Sequence, residues 1–118
     1  MNNIDISDMI VEAIQNKKGS DITILGLDAI ESAPASKFII CQGRSTSQVA
    51  AIADGIRDDL LENISVKPYN YDGYRNSQWI VIDYGNVMVH VFAPEFREFY
   101  NLEELWSDAD ITNIPNPD

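Results

Sequence analysis

The chain has 118 residues, enough for one domain that buries an ordinary core without disulfides or metals. Its 45% hydrophobic content excludes overall disorder. The formal net charge of −11 repels phosphate backbones and anionic lipid heads, which ranks direct nucleic-acid or membrane binding last and leaves a basic protein partner or plain solubility. A single cysteine, Cys41, allows no intrachain disulfide. No basic segment followed by an apolar run opens the chain, and no stretch approaches the roughly 20 apolar residues that span a bilayer. A cytoplasmic location is expected.

The first helix is predicted from Ser7 to Asn16, because Ile6, Met9, Ile10, Ala13 and Ile14 recur at helical spacing. Asp5 or Ser7 is its expected cap, and Lys17-Lys18-Gly19 its expected end, with glycine taking the left-handed turn. Strands follow at Asp21 to Leu27 and Lys37 to Gln42, separated by a loop containing Pro34. Gly43 breaks the second strand. A helix then runs from Thr46 to about Glu62, with Ser45 and Gln48 spaced as a capping box. Val49, Ile52, Ala53, Ile56 and Leu60 form its buried stripe, and Arg57, Asp58, Asp59 and Glu62 its solvated side.

A third strand is predicted from Val66 to Tyr71, at a sheet edge because Pro68 cannot donate to a ladder. Trp79 to Tyr84 and Val87 to Phe92 are the last two strands, joined by Gly85-Asn86 as a type II′ hairpin. Short helical turns then carry Phe96, Phe99, Tyr100, Leu102, Leu105 and Trp106. This order predicts an α/β fold, a mixed β-sheet of about five strands with helices packed on it. One domain is expected over residues 1–110, with 111–118, which holds Pro115 and Pro117, as a loose tail.

The hairpin carries the most local information. Its register pairs Asp83 with Met88, Val81 with His90 and Trp79 with Phe92. One face then holds Ile80, Ile82, Tyr84, Val87, Val89 and Val91, an ordinary core face. The other mixes Trp79, Val81, Asp83, Met88, His90 and Phe92, with Asp83 and His90 as diagonal neighbours. Two readings fit this second face. It is a protein-binding patch of aromatic and methionine anchors, or it is covered by a helix with Asp83 and His90 satisfying each other inside.

Enzyme chemistry finds little support. One histidine, one cysteine and scattered carboxylates make no metal site, and the Asp83–His90 pair has no serine or cysteine placed as nucleophile. Gly43-Arg44-Ser45-Thr46-Ser47 precedes a helix, yet lacks both the P-loop lysine and the G-x-G-x-x-G pattern, so it reads as a turn and a cap. Tyr69, Tyr71 and Tyr74 around Asp72-Gly73 lack the basic interleaving that base stacking would need. No cofactor is expected.

The run Trp79-Ile80-Val81-Ile82-Asp83-Tyr84-Gly85-Asn86-Val87-Met88-Val89-His90-Val91-Phe92 resembles the signature of the ribosomal silencing factor S family (Iojap-like). It continues through Arg97, Phe99-Tyr100 and Leu102-Glu103-Glu104-Leu105-Trp106, similar to the family's closing motif. Asp21 to Leu25, Phe38 to Ser45 and Gln48 to Ala53 resemble earlier family blocks, so the resemblance covers roughly Ser7 to Ala109. The chain departs from the family pattern at Gly26-Leu27-Asp28 and at Lys37, where aspartates often stand, and at Asp72-Gly73, where Glu-Gly is usual.

The resemblance implies a translational repressor, not an enzyme. Such a factor binds the large ribosomal subunit through large-subunit ribosomal protein fourteen and blocks joining of the two subunits. It also implies a fold related to the nucleotidyltransferases and a homodimer when free. The acidic charge suits a basic ribosomal protein. Trp79, Asp83, His90, Tyr100 and Trp106 are the expected partner contacts, taken from the signature as its least core-like members. The alternative is a nucleotidyltransferase-like enzyme or nucleotide-binding relic, which needs clustered carboxylates beside a phosphate-binding turn.

Overall fold

The computed structural model describes residues 6–116. The chain runs α1 (Ile6–Asn16), β1 (Ser20–Gly26), β2 (Lys37–Gln42), α2 (Thr46–Ile64), β3 (Asn70–Asp72), β4 (Trp79–Asp83), β5 (Val87–Phe92), α3 (Pro94–Tyr100), α4 (Leu102–Leu105) and β6 (Asp110–Asn113). The strands form one mixed sheet in the order β3-β4-β5-β2-β1-β6. Only β2 and β5 pair in parallel; every other neighbour is antiparallel.

Among the described residues the sheet therefore has six strands, not about five. The sixth falls in the stretch read as the start of a loose tail. Asp110–Asn113 is short and exposed along its whole length, so no burial alternation marks it in the sequence. It exists because its backbone pairs with β1, from Gly26↔Asp110 to Thr23↔Asn113. Asn116 is then pinned, its side chain accepting from the Asp21 N–H at 2.8 Å and donating to the Asp21 carboxylate at 3.1 Å.

The terminal hairpin has the predicted register from Trp79↔Phe92 to Asp83↔Met88. Gly85 alone of the two turn residues has positive φ, at 87°, as a type II′ turn requires. The third strand is shorter than predicted, Asn70–Asp72, and begins only after Pro68; it does lie at the sheet edge.

Helices cover both faces. Against one lie α1 and α2, burying Ile10, Ile14, Val49, Ile52, Ile56 and Leu60 on Ile80, Ile82, Val89 and Val91. Against the other lie α3 and α4, where Leu102 joins Leu25, Phe38, Ile40 and Phe92. The mixed hairpin face is thus covered in part.

Four local expectations change. Asp5 lies outside the described residues, and Ser7 is a buried residue within α1, not its cap. The left-handed turn after α1 falls on Lys18, with φ 65°, not on Gly19. Gly19 is required by closeness instead, since a Cβ there would sit 2.5 Å from Ile14 Cγ2. At α2, the Ser45 hydroxyl accepts from the Gln48 N–H as a capping box demands, but Gln48 Oε1 reaches back to the Arg44 N–H at 2.6 Å. Arg57 is half-buried rather than fully solvated: its guanidinium lies 3.8 Å over the Tyr71 ring and donates to the Tyr74 hydroxyl.

Candidate functional site

The α3–α4 side of the sheet carries a continuous series of rings. Trp79 opens β4 and stacks on Phe92 across the hairpin, at 5.1 Å and 21°. Tyr100, the last residue of α3, packs on the same indole at 4.6 Å. Phe99 meets Tyr100 edge-on at 5.1 Å. On the inner side, His90 touches Phe38 at 4.6 Å, and Phe38 meets Trp106 edge-on at 5.8 Å. Rings at these separations attract beyond the area they bury, which gives this layer its cohesion.

His90 is 4% exposed and belongs to the interior. Its Nδ1 accepts from the Trp79 indole N–H at 3.1 Å, which places the remaining imidazole proton on Nε2. Nε2 is buried with no hydrogen-bond partner. Burial pushes the imidazole down to about 4, so it is neutral near pH 7. The internal Asp83–His90 pair does not form. Asp83 instead accepts from the Gly85 N–H at 2.8 Å and caps the hairpin turn. It stands four residues along the strand from Trp79, about 13 Å away.

The five sequence candidates therefore separate. Trp79 and Tyr100 come together in one half-open cluster, His90 supports Trp79 from beneath, Trp106 is half-buried against Phe38, and Asp83 lies apart at the hairpin end. The most exposed apolar groups on this side were not among the candidates: Phe99 is 78% exposed and Leu105 69%, against 45% for Tyr100. Adjacent large apolar residues at Phe99-Tyr100, one more than a short amphipathic helix can bury, were the available signal. Glu95, Glu98 and Glu104 are exposed on the same short helices, so the patch has an acidic rim. Beside it, a cleft of ≈ 300 Å³ is lined by Gly73, Arg75, Gln78, Trp79, Phe96 and Tyr100.

Arg97 holds this layer to the sheet. Its guanidinium donates to Glu103 at 2.8 Å, to Thr23 Oγ1 at 3.0 Å, to Gln42 Oε1 at 3.4 Å and to the Asp21 carbonyl. One side chain thereby fastens α3 and α4 to β1 and β2. Helices of four and seven residues have little stability alone, so this external fastening fixes their position.

Cys41 is buried and its thiol is pushed up to about 12 by burial, so it is not an available nucleophile. Among the described residues, no group of three or more His, Cys, Asp or Glu is placed to hold a metal. No described helix is long and apolar enough to cross a membrane.

Comparison with known proteins agrees with the sequence signature. The family model described as ribosomal silencing factor during starvation matches residues 2–118. A ribosomal silencing factor RsfS of Bacillus subtilis is 40% identical over 115 residues, covering 97% of this chain and 95% of that protein. The chloroplastic protein Iojap of Zea mays is 40% identical over 78 residues, 66% of this chain and 33% of that protein. A crystal structure of a Chromobacterium violaceum protein superposes with a TM-score of 0.83 at 33% identity, covering 91% of this chain and 88% of the other. The chain belongs to the RsfS family of ribosomal silencing factors.

Proposed function

We propose that this protein silences translation by steric occlusion: it binds the large ribosomal subunit through large-subunit ribosomal protein fourteen and prevents the small subunit from joining. Membership of the ribosomal silencing factors supports the ribosome as target. The observation that carries the mode of action is the acid-rimmed patch of Phe99, Tyr100 and Leu105 above Trp79. Aromatic anchors supply the buried area of a protein interface, and surrounding carboxylates select a basic partner and speed encounter. Trp79 and Tyr100 are the central contacts of this proposal. Phe99 and Leu105 join them, Trp106 lies at the margin and Asp83 steers from a distance, while His90 acts only through Trp79. Occlusion makes and breaks no bond, so it needs no cofactor.

The protein acts in the cytoplasm on this reading, and the free form is a homodimer that shields exposed apolar surface. The alternative, a nucleotidyltransferase-like enzyme or relic, keeps the fold relationship but needs carboxylates gathered around a divalent cation. Saturable magnesium-dependent nucleotide binding would favour it. The decisive experiment is sedimentation with purified subunits. The protein should travel with large subunits and not small ones, and pre-bound protein should lower the yield of joined ribosomes. Co-sedimentation with small subunits alone would overturn the proposal.

A further inference from the structure

The two edges of the sheet are finished differently. At β3 the outward main-chain donors are already used: the Tyr71 N–H donates to the Asn70 side chain at 2.9 Å, and the Gly73 N–H to the Asp72 carboxylate at 2.8 Å. An edge whose donors are taken by its own side chains is a poor template for another strand. At β6 the alternation runs the other way. The Ile114 N–H bonds inward to the Ile22 carbonyl, in step with the Ile24↔Thr112 and Gly26↔Asp110 pairs. In an antiparallel ladder this turns the N–H and C=O of Ile111 and Asn113 outward. Among the described residues no side chain or backbone group meets them.

The surroundings indicate what such an edge would accept. Ile111 is 48% exposed on the strand, and the stretch from Trp106 to Asn116 carries Asp108 and Asp110 with no lysine or arginine. A second copy of the chain would bring its own Asp108 and Asp110 to the same short ladder, at a net charge of −11 per copy. We infer that the β6 edge is a docking site for an extended, lysine- or arginine-bearing segment of a partner protein, which adds to the sheet as a seventh strand beside β6. Main-chain bonds to Ile111 and Asn113 supply the pairing, and the acidic flank selects the basic sequence. This site is separate from the aromatic patch and stands whether or not that patch binds the ribosome.

The test uses the full chain and a short synthetic peptide of alternating lysine and valine. A matched peptide carries the same charges with alternate backbone nitrogens methylated. Amide exchange at Ile111 and Asn113 should slow by about tenfold or more on saturation with the first peptide, with no change at Tyr71 or Gly73. The methylated peptide should bind about tenfold more weakly or worse, since it keeps the charge and loses the donors. Ile111→Pro removes an outward donor and leaves the inward pairs with β1 in place, so it should lose peptide affinity at a nearly unchanged Tm. Equal binding of both peptides would reduce the effect to diffuse charge attraction and overturn the inference. Protection of Ile111 and Asn113 without peptide, accompanied by a dimer mass, would overturn it in favour of a second copy. No binding at millimolar peptide would also overturn it.

Discussion

His90 should make the fold acid-sensitive in a way that can be calculated and isolated. Its ring is buried, its Nδ1 is engaged by the Trp79 indole, and no acidic side chain is hydrogen-bonded to it. Protonation in place would strand a charge in the interior and break the Trp79 bond, because imidazolium accepts nothing. The folded pKa is therefore depressed, to about 4 from an ordinary 6.5. The sign follows: above 6.5 both states are neutral and His90 costs nothing, while below it the unfolded chain takes up a proton that the folded chain refuses. Stability is lost as pH falls toward 4, at about 1.4 kcal/mol per pH unit and about 3 kcal/mol in all. For a domain of this size that is roughly a 10 °C drop in Tm. Carboxylate titration is superimposed on this, since relieving the net charge of −11 favours the compact state as pH falls. Comparison with His90→Gln removes that background, because glutamine offers Trp79 an acceptor and does not titrate. Urea unfolding of both proteins across this range should give stabilities that converge as the pH falls. A difference that stays constant from pH 7 to 4.5 would refute the reasoning.

Arg97→Met keeps the aliphatic stem but loses the bonds to Glu103, Thr23 and Gln42; it should cost about 2–3 kcal/mol in urea unfolding and loosen amide protection in α3 and α4. Phe99→Ala should change stability by less than about 1 kcal/mol and Tyr100→Ala, which loses its packing on Trp79, by about 1–2 kcal/mol, while each weakens binding to ribosomal protein fourteen, measured by calorimetry, by about 1–2 kcal/mol. Trp79→Ala should lose affinity at all salt concentrations and about 2–4 kcal/mol of stability as well, because it removes the stack on Phe92 and the donor to His90. Gly19→Ala should cost about 1–3 kcal/mol by thermal melting, the added methyl having no room beside Ile14.

Much of the fold was legible because the signals were local. The hairpin register follows from one glycine-led turn and two alternating strands, and the α2 stripe from helical spacing. Features created by distant contact were not legible. β6 has no pattern of its own and depends on β1, some 90 residues away in sequence. His90 illustrates the same limit at the site. Its place in the hairpin was readable, but its burial depended on where Phe38 and Trp106 came to rest. Arg97 stood in the recognised motif without an evident task until Thr23, Gln42 and Glu103 converged on it.

The two layers on the sheet differ in what holds them, and this bears on how the proposed face would work. The α1–α2 layer is secured by a broad apolar core and a helix of nineteen residues. The α3–α4 layer is secured by fewer groups: Leu102 in the second core with Phe96 and Trp106 packed against it, Arg97 on three elements, and Tyr100 on Trp79. Local opening costs least where few buried contacts must break. The aromatic face therefore sits on the less stable layer, and a partner covering Phe99, Tyr100 and Leu105 would stabilise that layer as well as bind it. Affinity and local stability are then linked, so substitutions at Arg97 should weaken partner binding without touching the partner, by the share of molecules in which the layer is displaced. Exposed anchors such as Phe99 lack this linkage. Comparing Arg97→Met with Phe99→Ala separates the two contributions: the first should lose affinity in step with α3–α4 amide protection, and the second should lose affinity with that protection intact.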